Sequence, residues 1–221
     1  MVEDAARAYD LIVFDWDGTL MDSELKIVRC IQAAARDVGA PVPPQAAARR
    51  IIGLGLSEAI ATLFPAQTPA QRGLLTDAYR EHFLHRDQTE MPLFPGVREG
   101  LDALVACGYR LAVATGKARR GLNRVLADTG TGHLFAATRC ADEAFSKPHP
   151  KMLEDVLQLT GTDATRAIMV GDTVYDLAMA RSAGVAALAV TYGVHAREAL
   201  EAEAPLACLA SFDAVRAWLL P

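Results

Sequence analysis

The sequence predicts an α/β fold, a doubly wound parallel sheet with helices on both faces, plus an all-helical segment inserted after the first strand. Three observations predict it. Several short apolar runs are continuous rather than alternating, as strands are when both faces of a parallel sheet are covered. Helical periodicity fills most of the stretches between them, giving the strand-then-helix rhythm of a doubly wound sheet. Between Leu20 and Met91 the rhythm stops, and helical patterns follow one another with no strand between.

The first strand is predicted over Leu11–Phe14, an apolar run that stops at Asp15-Trp16-Asp17-Gly18. The inserted stretch divides into helical segments at Ser23–Val38, Pro44–Ile51, Ser57–Phe64 and Thr68–Arg86, and M-P-L-F-P-G, residues 91–96, returns the chain to the sheet. A helix over Val97–Cys107, a strand over Leu111–Ala114 and a helix over Ala118–Asp128 come next. After a helix at Lys151–Leu159 come a strand at Ala167–Val170, a helix at Thr173–Ala183 and a strand at Val185–Val190. The domain division this implies is a core of residues 1–19 and 92–221 with a helical cap of residues 20–91. No repeat of solenoid period is present.

Composition narrows the function classes. The 221 residues suffice for a sizeable core, and 52% hydrophobic with 22% charged residues is a globular balance. Apolar runs such as Val185–Val190 are too short to span a bilayer, and M-V-E-D-A-A-R-A-Y-D has no apolar leader, so a cytoplasmic location without membrane contact is expected. Cys30, Cys107, Cys140 and Cys208 lie far apart with no C-x-x-C pair, which reads as reduced thiols and not as a disulfide frame or a zinc site. A net charge of -5 without a basic block argues against a nucleic-acid surface. A small anionic substrate needs only a local positive site, and the expected assembly is a monomer or homodimer.

In open α/β sheets, ligands bind beyond the carboxyl ends of the strands, and several polar groups fall there. Asp15 and Asp17 end the first strand. A-T-G-K, residues 114–117, places Thr115 and the Gly116 amide ahead of a helix, a ready anion site. S-K-P-H-P, residues 146–150, carries Lys147, and V-G-D-T-V-Y-D, residues 170–176, places Asp172 at a strand end with Asp176 four residues on. Taken singly, each has a plainer reading as a turn acid, a helix cap or a solvated lysine. Together they supply acids, a hydroxyl and one lysine at neighbouring strand ends, which points to a shared site.

That inventory suits phosphoryl transfer. Asp15, ionised at neutral pH, can attack phosphorus without a base to activate it, forming an aspartyl-phosphate. Carboxylate and phosphate repel, so a divalent cation must bridge them, and Asp15 and Asp172 offer hard oxygen ligands that suit Mg²⁺. Thr115 and Gly116 would hold the phosphoryl oxygens, and Lys147 would neutralise charge in the transition state. Asp17, its pKa kept up by nearby Asp15, would protonate the leaving alcohol and then deprotonate water.

D-W-D-G-T at 15–19, T-G at 115–116, Lys147 and G-D-T-x-x-D at 171–176 resemble, in order, the four motifs of the haloacid dehalogenase superfamily of phosphatases. The insert after the first motif is similar to the cap of the phosphoglycolate phosphatase and β-phosphoglucomutase branch. The resemblance implies Asp15 as nucleophile and Asp17 as acid/base. It also implies Mg²⁺ held by Asp15, the Asp17 backbone carbonyl and Asp172, with Asp176 auxiliary, and a small phosphorylated metabolite as substrate, 2-phosphoglycolate first among them. Asp17 argues against the dehalogenase branch, which lacks that acid. A sugar-phosphate mutase of the same family stays open. From another class, a receiver-type signalling domain also places an Asp, a Thr, a Lys and Mg²⁺ on a parallel sheet, but the D-x-D-G-T turn and the insert do not suit it.

Specificity is expected from A-R-R-I-I-G-L-G, residues 48–55, where Arg49 or Arg50 could grip a substrate carboxylate while the Gly53–Gly55 loop bends toward the core. Trp16, between the two acids, is a further candidate substrate contact, although an extended strand points it to the opposite side, where packing is its commoner role. His82 and His85 could share a helix face but are too few for a metal site.

Overall fold

The computed structural model describes residues 7–220. The first six residues, part of the stretch read as lacking an apolar leader, lie outside the described residues. Six parallel strands, β1 Leu11–Phe14, β2 Arg110–Thr115, β3 Phe135–Cys140, β4 Ala167–Gly171, β5 Ala186–Val190 and β6 Ala207–Leu209, form one sheet in the order β3-β2-β1-β4-β5-β6. β1 is central, with Ile12 in register with Leu111 on one side and Ile168 on the other. The chain therefore winds outward from β1 to β3 on one side and from β4 to β6 on the other. This puts the topological switch between β1 and β4, where ligands bind in such sheets.

Side-chain alternation along β1 feeds two apolar layers. Ile12 and Phe14 pack with residues of α5 Val97–Ala106, α6 Arg119–Thr129 and α10 Phe212–Leu219, while Leu11 and Val13 pack with residues of α7 Lys151–Thr160 and α8 Val174–Ser182. All four β1 side chains are fully buried, each contributing on the order of 1.5–3 kcal/mol. The short α9, Arg197–Glu201, packs beside β6.

Between β1 and α5 lie α1 Glu24–Val38, α2 Gln45–Arg50, α3 Leu56–Leu63 and α4 Pro69–Glu81, the last running into a π-helical turn at His82–Arg86. A capping box between Thr68 and Gln71, with Pro69 in the first turn, starts α4. Ala35, Ile60, Phe64 and Leu75 give these helices an apolar cluster of their own, and a second one, Ile27, Ile31, Ile51 and Ile52, reaches Val194 of the sheet domain. Where the insert leaves and returns, the chain pairs with itself: Asp22 N donates to Pro92 O at 2.8 Å and Phe94 N to Leu20 O at 3.0 Å.

Two strands and two helices go beyond the sequence expectation. The unanticipated strands β3 and β6 are the two sheet edges, and α9 and α10 follow β5. The single helix expected over Thr68–Arg86 changes to π geometry in its last turn, bringing Phe83 beside Lys26 and Lys117. Among the described residues, no helix is long and apolar enough to cross a membrane, and all four cysteines are free thiols.

Candidate active site

Lys147, in the loop that links β3 to α7, is wholly buried, and its ammonium donates to Asp15 Oδ1 at 2.7 Å and to Asp176 Oδ1 at 2.6 Å. Asp176 is fixed from behind by the capping box of α8: the Thr173 amide and hydroxyl donate to its Oδ2 at 3.1 and 2.7 Å. The residues that start the helix thus also aim its acid. Asp172, at the end of β4, accepts from Thr19 Oγ1 at 2.8 Å and from the Val194 amide at 2.8 Å. Carboxylate oxygens of Asp15, Asp172 and Asp176 all lie within 4.8 Å of one another.

Three buried carboxylates here face one ammonium. Burial pushes the Asp15 carboxyl well above the usual range, with Lys147 opposing and Asp176 and Asp172 reinforcing. Burial and then the Asp176 charge push Asp172 up to about 7, against the hydrogen bonds from Val194 and Thr19. For Lys147 burial works downward, but the charges of Asp15 and Asp176 win and hold it above the ordinary lysine value. Asp15 Oδ2 is buried with no hydrogen-bond partner. An all-oxygen cluster with surplus negative charge and an orphaned carboxylate oxygen fits a hard divalent cation such as Mg²⁺. Asp15 and Asp172 would be its side-chain ligands, with Asp176, which pairs with Lys147, beside them.

Backbone shape protects this arrangement. Gly18 has φ +84°, and a Cβ there would lie 2.2 Å from Asp172 Oδ2; one on Gly193 would lie 2.3 Å from the same atom. Only glycine lets the turn after β1 and the loop after β5 close on that carboxylate.

Asp17 Oδ1 accepts from Ser23 Oγ and pairs with Lys117 Nζ at 2.8 Å. Thr115 is buried at the end of β2, where its hydroxyl accepts from Lys117 N at 3.2 Å. Gly116 lies under the insert: a Cβ on it would meet Leu54 O at 2.5 Å and Gly53 O at 2.7 Å, while Gly55 N donates to Ser146 Oγ at 2.8 Å. The Gly53–Gly55 loop does bend onto the sheet domain. Between them the two parts form a half-open cavity of about 520 Å³, lined by Asp15, Asp17, Gly116 and Lys117 on one side.

Three expected contacts are placed elsewhere. Arg49 pairs with Glu24 Oε1 at 3.0 Å and donates to Val194 O at 3.2 Å, and Arg50 points its side chain to solvent while its carbonyl accepts from Tyr175 OH. Neither lines the cavity. The reason is that α2 sits over the loop at Val194, so backbone carbonyls and not guanidinium groups reach the strand ends. Trp16 is fully buried on the far side of the strand, donating to Met21 Sδ at 3.3 Å and packing edge-on to Phe135. His82 pairs with Asp37 at the surface and His85 is exposed.

Lys117, Ser23, Thr19 and the Val194 amide are the site groups that sequence reasoning missed. Lys117 stood in the quoted A-T-G-K, but its partner Asp17 is on another strand end. The signal for Val194 was the loop after β5, another strand end that went unassigned.

The haloacid dehalogenase-like hydrolase family matches residues 12–190. The "Probable phosphatase IndB" of Dickeya dadantii is 38% identical, over 93% of this chain and 91% of its own. The "Phosphoglycolate phosphatase, plasmid" of Cupriavidus necator is 32% identical, over 95% and 93%. The crystal structure of a "predicted phosphoglycolate phosphatase" from Haemophilus somnus 129pt superposes with a TM-score of 0.84 at 26% identity, covering 95% of this chain and 97% of that one. With a buried Asp-Lys-Asp cluster at the switch point and relatives named as phosphatases, this chain belongs to the haloacid dehalogenase-like hydrolase family.

Proposed function

We propose that this phosphatase hydrolyses a small phosphate monoester with Mg²⁺ and a phosphoryl group carried on Asp15, in the cytoplasm, as a monomer or homodimer. Of the possible esters, 2-phosphoglycolate, named for the Cupriavidus relative, is the first to test. The observation that carries the mechanism is Asp15 itself: a buried carboxylate at the end of β1, gripped through one oxygen by Lys147 and unpartnered at the other.

Asp15 attacks phosphorus, and the bond to the leaving alcohol breaks as Asp17 donates a proton to that oxygen. Water then attacks the same phosphorus, Asp17 takes its proton, and the Asp15 carboxylate and inorganic phosphate are released. Bound at Asp15 and Asp172, Mg²⁺ would supply the positive charge that keeps Asp15 ionised against its burial and lets an anionic ester approach it. The Thr115 hydroxyl and the Gly116 amide receive phosphoryl oxygens, and Lys147 offsets charge that builds on them. Lys117 and Ser23 both bind Oδ1 of Asp17, which leaves Oδ2 to carry the proton that is given to the alcohol and taken back from water. Residues 20–91 act as a cap that keeps bulk water from the intermediate.

Phosphate release from a panel of esters, with Mg²⁺ present, tests this reading. Net release of inorganic phosphate is expected. Isomerisation of a sugar phosphate without release would favour a mutase, and a lasting phosphoprotein without turnover would favour a switch. On this placement Arg49→Ala and Arg50→Ala should each change kcat/KM by no more than about twofold on 2-phosphoglycolate and on a neutral aryl phosphate alike. A large loss confined to 2-phosphoglycolate would contradict it.

A further inference from the structure

We propose that the ester this site prefers has an uncharged, ring-sized apolar alcohol as its leaving group, not a second acidic group. The proposal rests on the phosphatase reading and concerns only the part of the substrate that does not react.

The cavity of about 520 Å³ beyond Asp15 and Asp17 is in the range of pockets that enclose ligands far larger than a two-carbon acid. Its insert-side walls are mostly apolar: Ile27, Ile31, Ile52 and Leu54 line it, together with Tyr79 and Phe83, with the charged Glu58 and Arg80 as exceptions. The rings of Tyr79 and Phe83 stack with centroids 5.6 Å apart and planes 27° from parallel. This pair forms an aromatic flank against which a ring can pack.

Charge points the same way. The deep cation among the lining residues is Lys117, whose side chain is 8% exposed and is already committed to Asp17, with its ammonium 5.0 Å from the centre of the Phe83 ring. The other lining cations, Arg80 and Arg120, are exposed, and Arg80 pairs with Asp77. Glu58 and Asp142 share the lining with them. A carboxylate that reaches the aliphatic part of the wall would therefore leave water without a buried cation to pair with, which is unfavourable. A neutral ring meets no such penalty and gains the apolar contact.

The test compares kcat/KM for 1-naphthyl phosphate and 2-phosphoglycolate, with Mg²⁺, in the wild type, Phe83→Ala and Leu84→Gln. Leu84 is a second half-buried lining residue, so one variant remains informative if circular dichroism finds the other unfolded. The expected wild-type ratio exceeds about tenfold in favour of the naphthyl ester, and each folded variant lowers that ratio by about fivefold or more, chiefly through KM. A wild-type ratio at or below one overturns the proposal while leaving the phosphatase reading intact. A high ratio that neither variant changes overturns the assignment of this cavity. Hydrolysis of neither ester, nor of others in the panel, would instead defeat the phosphatase reading.

Discussion

Asp15→Asn is expected to lower turnover by on the order of 10⁴-fold or more while leaving the fold in place, because an amide cannot attack phosphorus. The side chain is isosteric, and its carbonyl oxygen can still accept from Lys147 where Asp15 Oδ1 does now, at 2.7 Å. The substitution also removes one of three buried carboxylates that crowd a single ammonium, so no loss of stability is expected. Phosphate-release rates with circular dichroism on the same sample check both halves. Residual activity within tenfold of wild type, in a folded variant, would remove Asp15 from the nucleophile role.

A similarly large effect is expected from taking the metal away. Excess chelator should silence the wild type and added Mg²⁺ restore it. Asp172→Asn should raise the Mg²⁺ concentration for half-maximal activity by on the order of 100-fold, since it removes a charged ligand but keeps an acceptor for Thr19 or Val194. Direct Mg²⁺ titration by calorimetry separates lost binding from lost chemistry. The sign of the pH dependence follows from Asp172, pushed up to about 7 by burial and the Asp176 charge. Below pH 7 a growing fraction of Asp172 is protonated and must release that proton to bind the ion, so the Mg²⁺ requirement should rise as pH falls. An affinity independent of pH between 6 and 8, or an Asp172→Asn variant saturating at wild-type Mg²⁺, would contradict this role.

The four strands expected from the sequence, β1, β2, β4 and β5, are the four interior strands of the sheet. Both their faces are covered, so they read as continuous apolar runs. The edge strand β3, F-A-A-T-R-C, is partly exposed along most of its length and carries Thr138 and Arg139, while β6 is only three half-buried residues long, too short to stand out as a strand. Asp15, Thr115, Lys147 and Asp172 were legible because each ends a strand or lies in the loop beyond one, a local property. Lys117 was not, because its meaning lies in an ion pair with Asp17 a hundred positions away. The arginines of α2 were misplaced for a related reason. Sequence puts Arg49 and Arg50 next to the loop that reaches the site, but only packing fixes that the loop arrives with its backbone and that Arg49 turns to Glu24.

The central claim is that the phosphoryl group passes through Asp15. Rapid acid quench during turnover, followed by borohydride, reduces an aspartyl-phosphate to homoserine, and peptide mass spectrometry then locates the residue. The expected result is conversion at position 15 that requires both ester and Mg²⁺ and is absent without either. Turnover with no conversion at position 15, or with the label on another residue, would contradict the account.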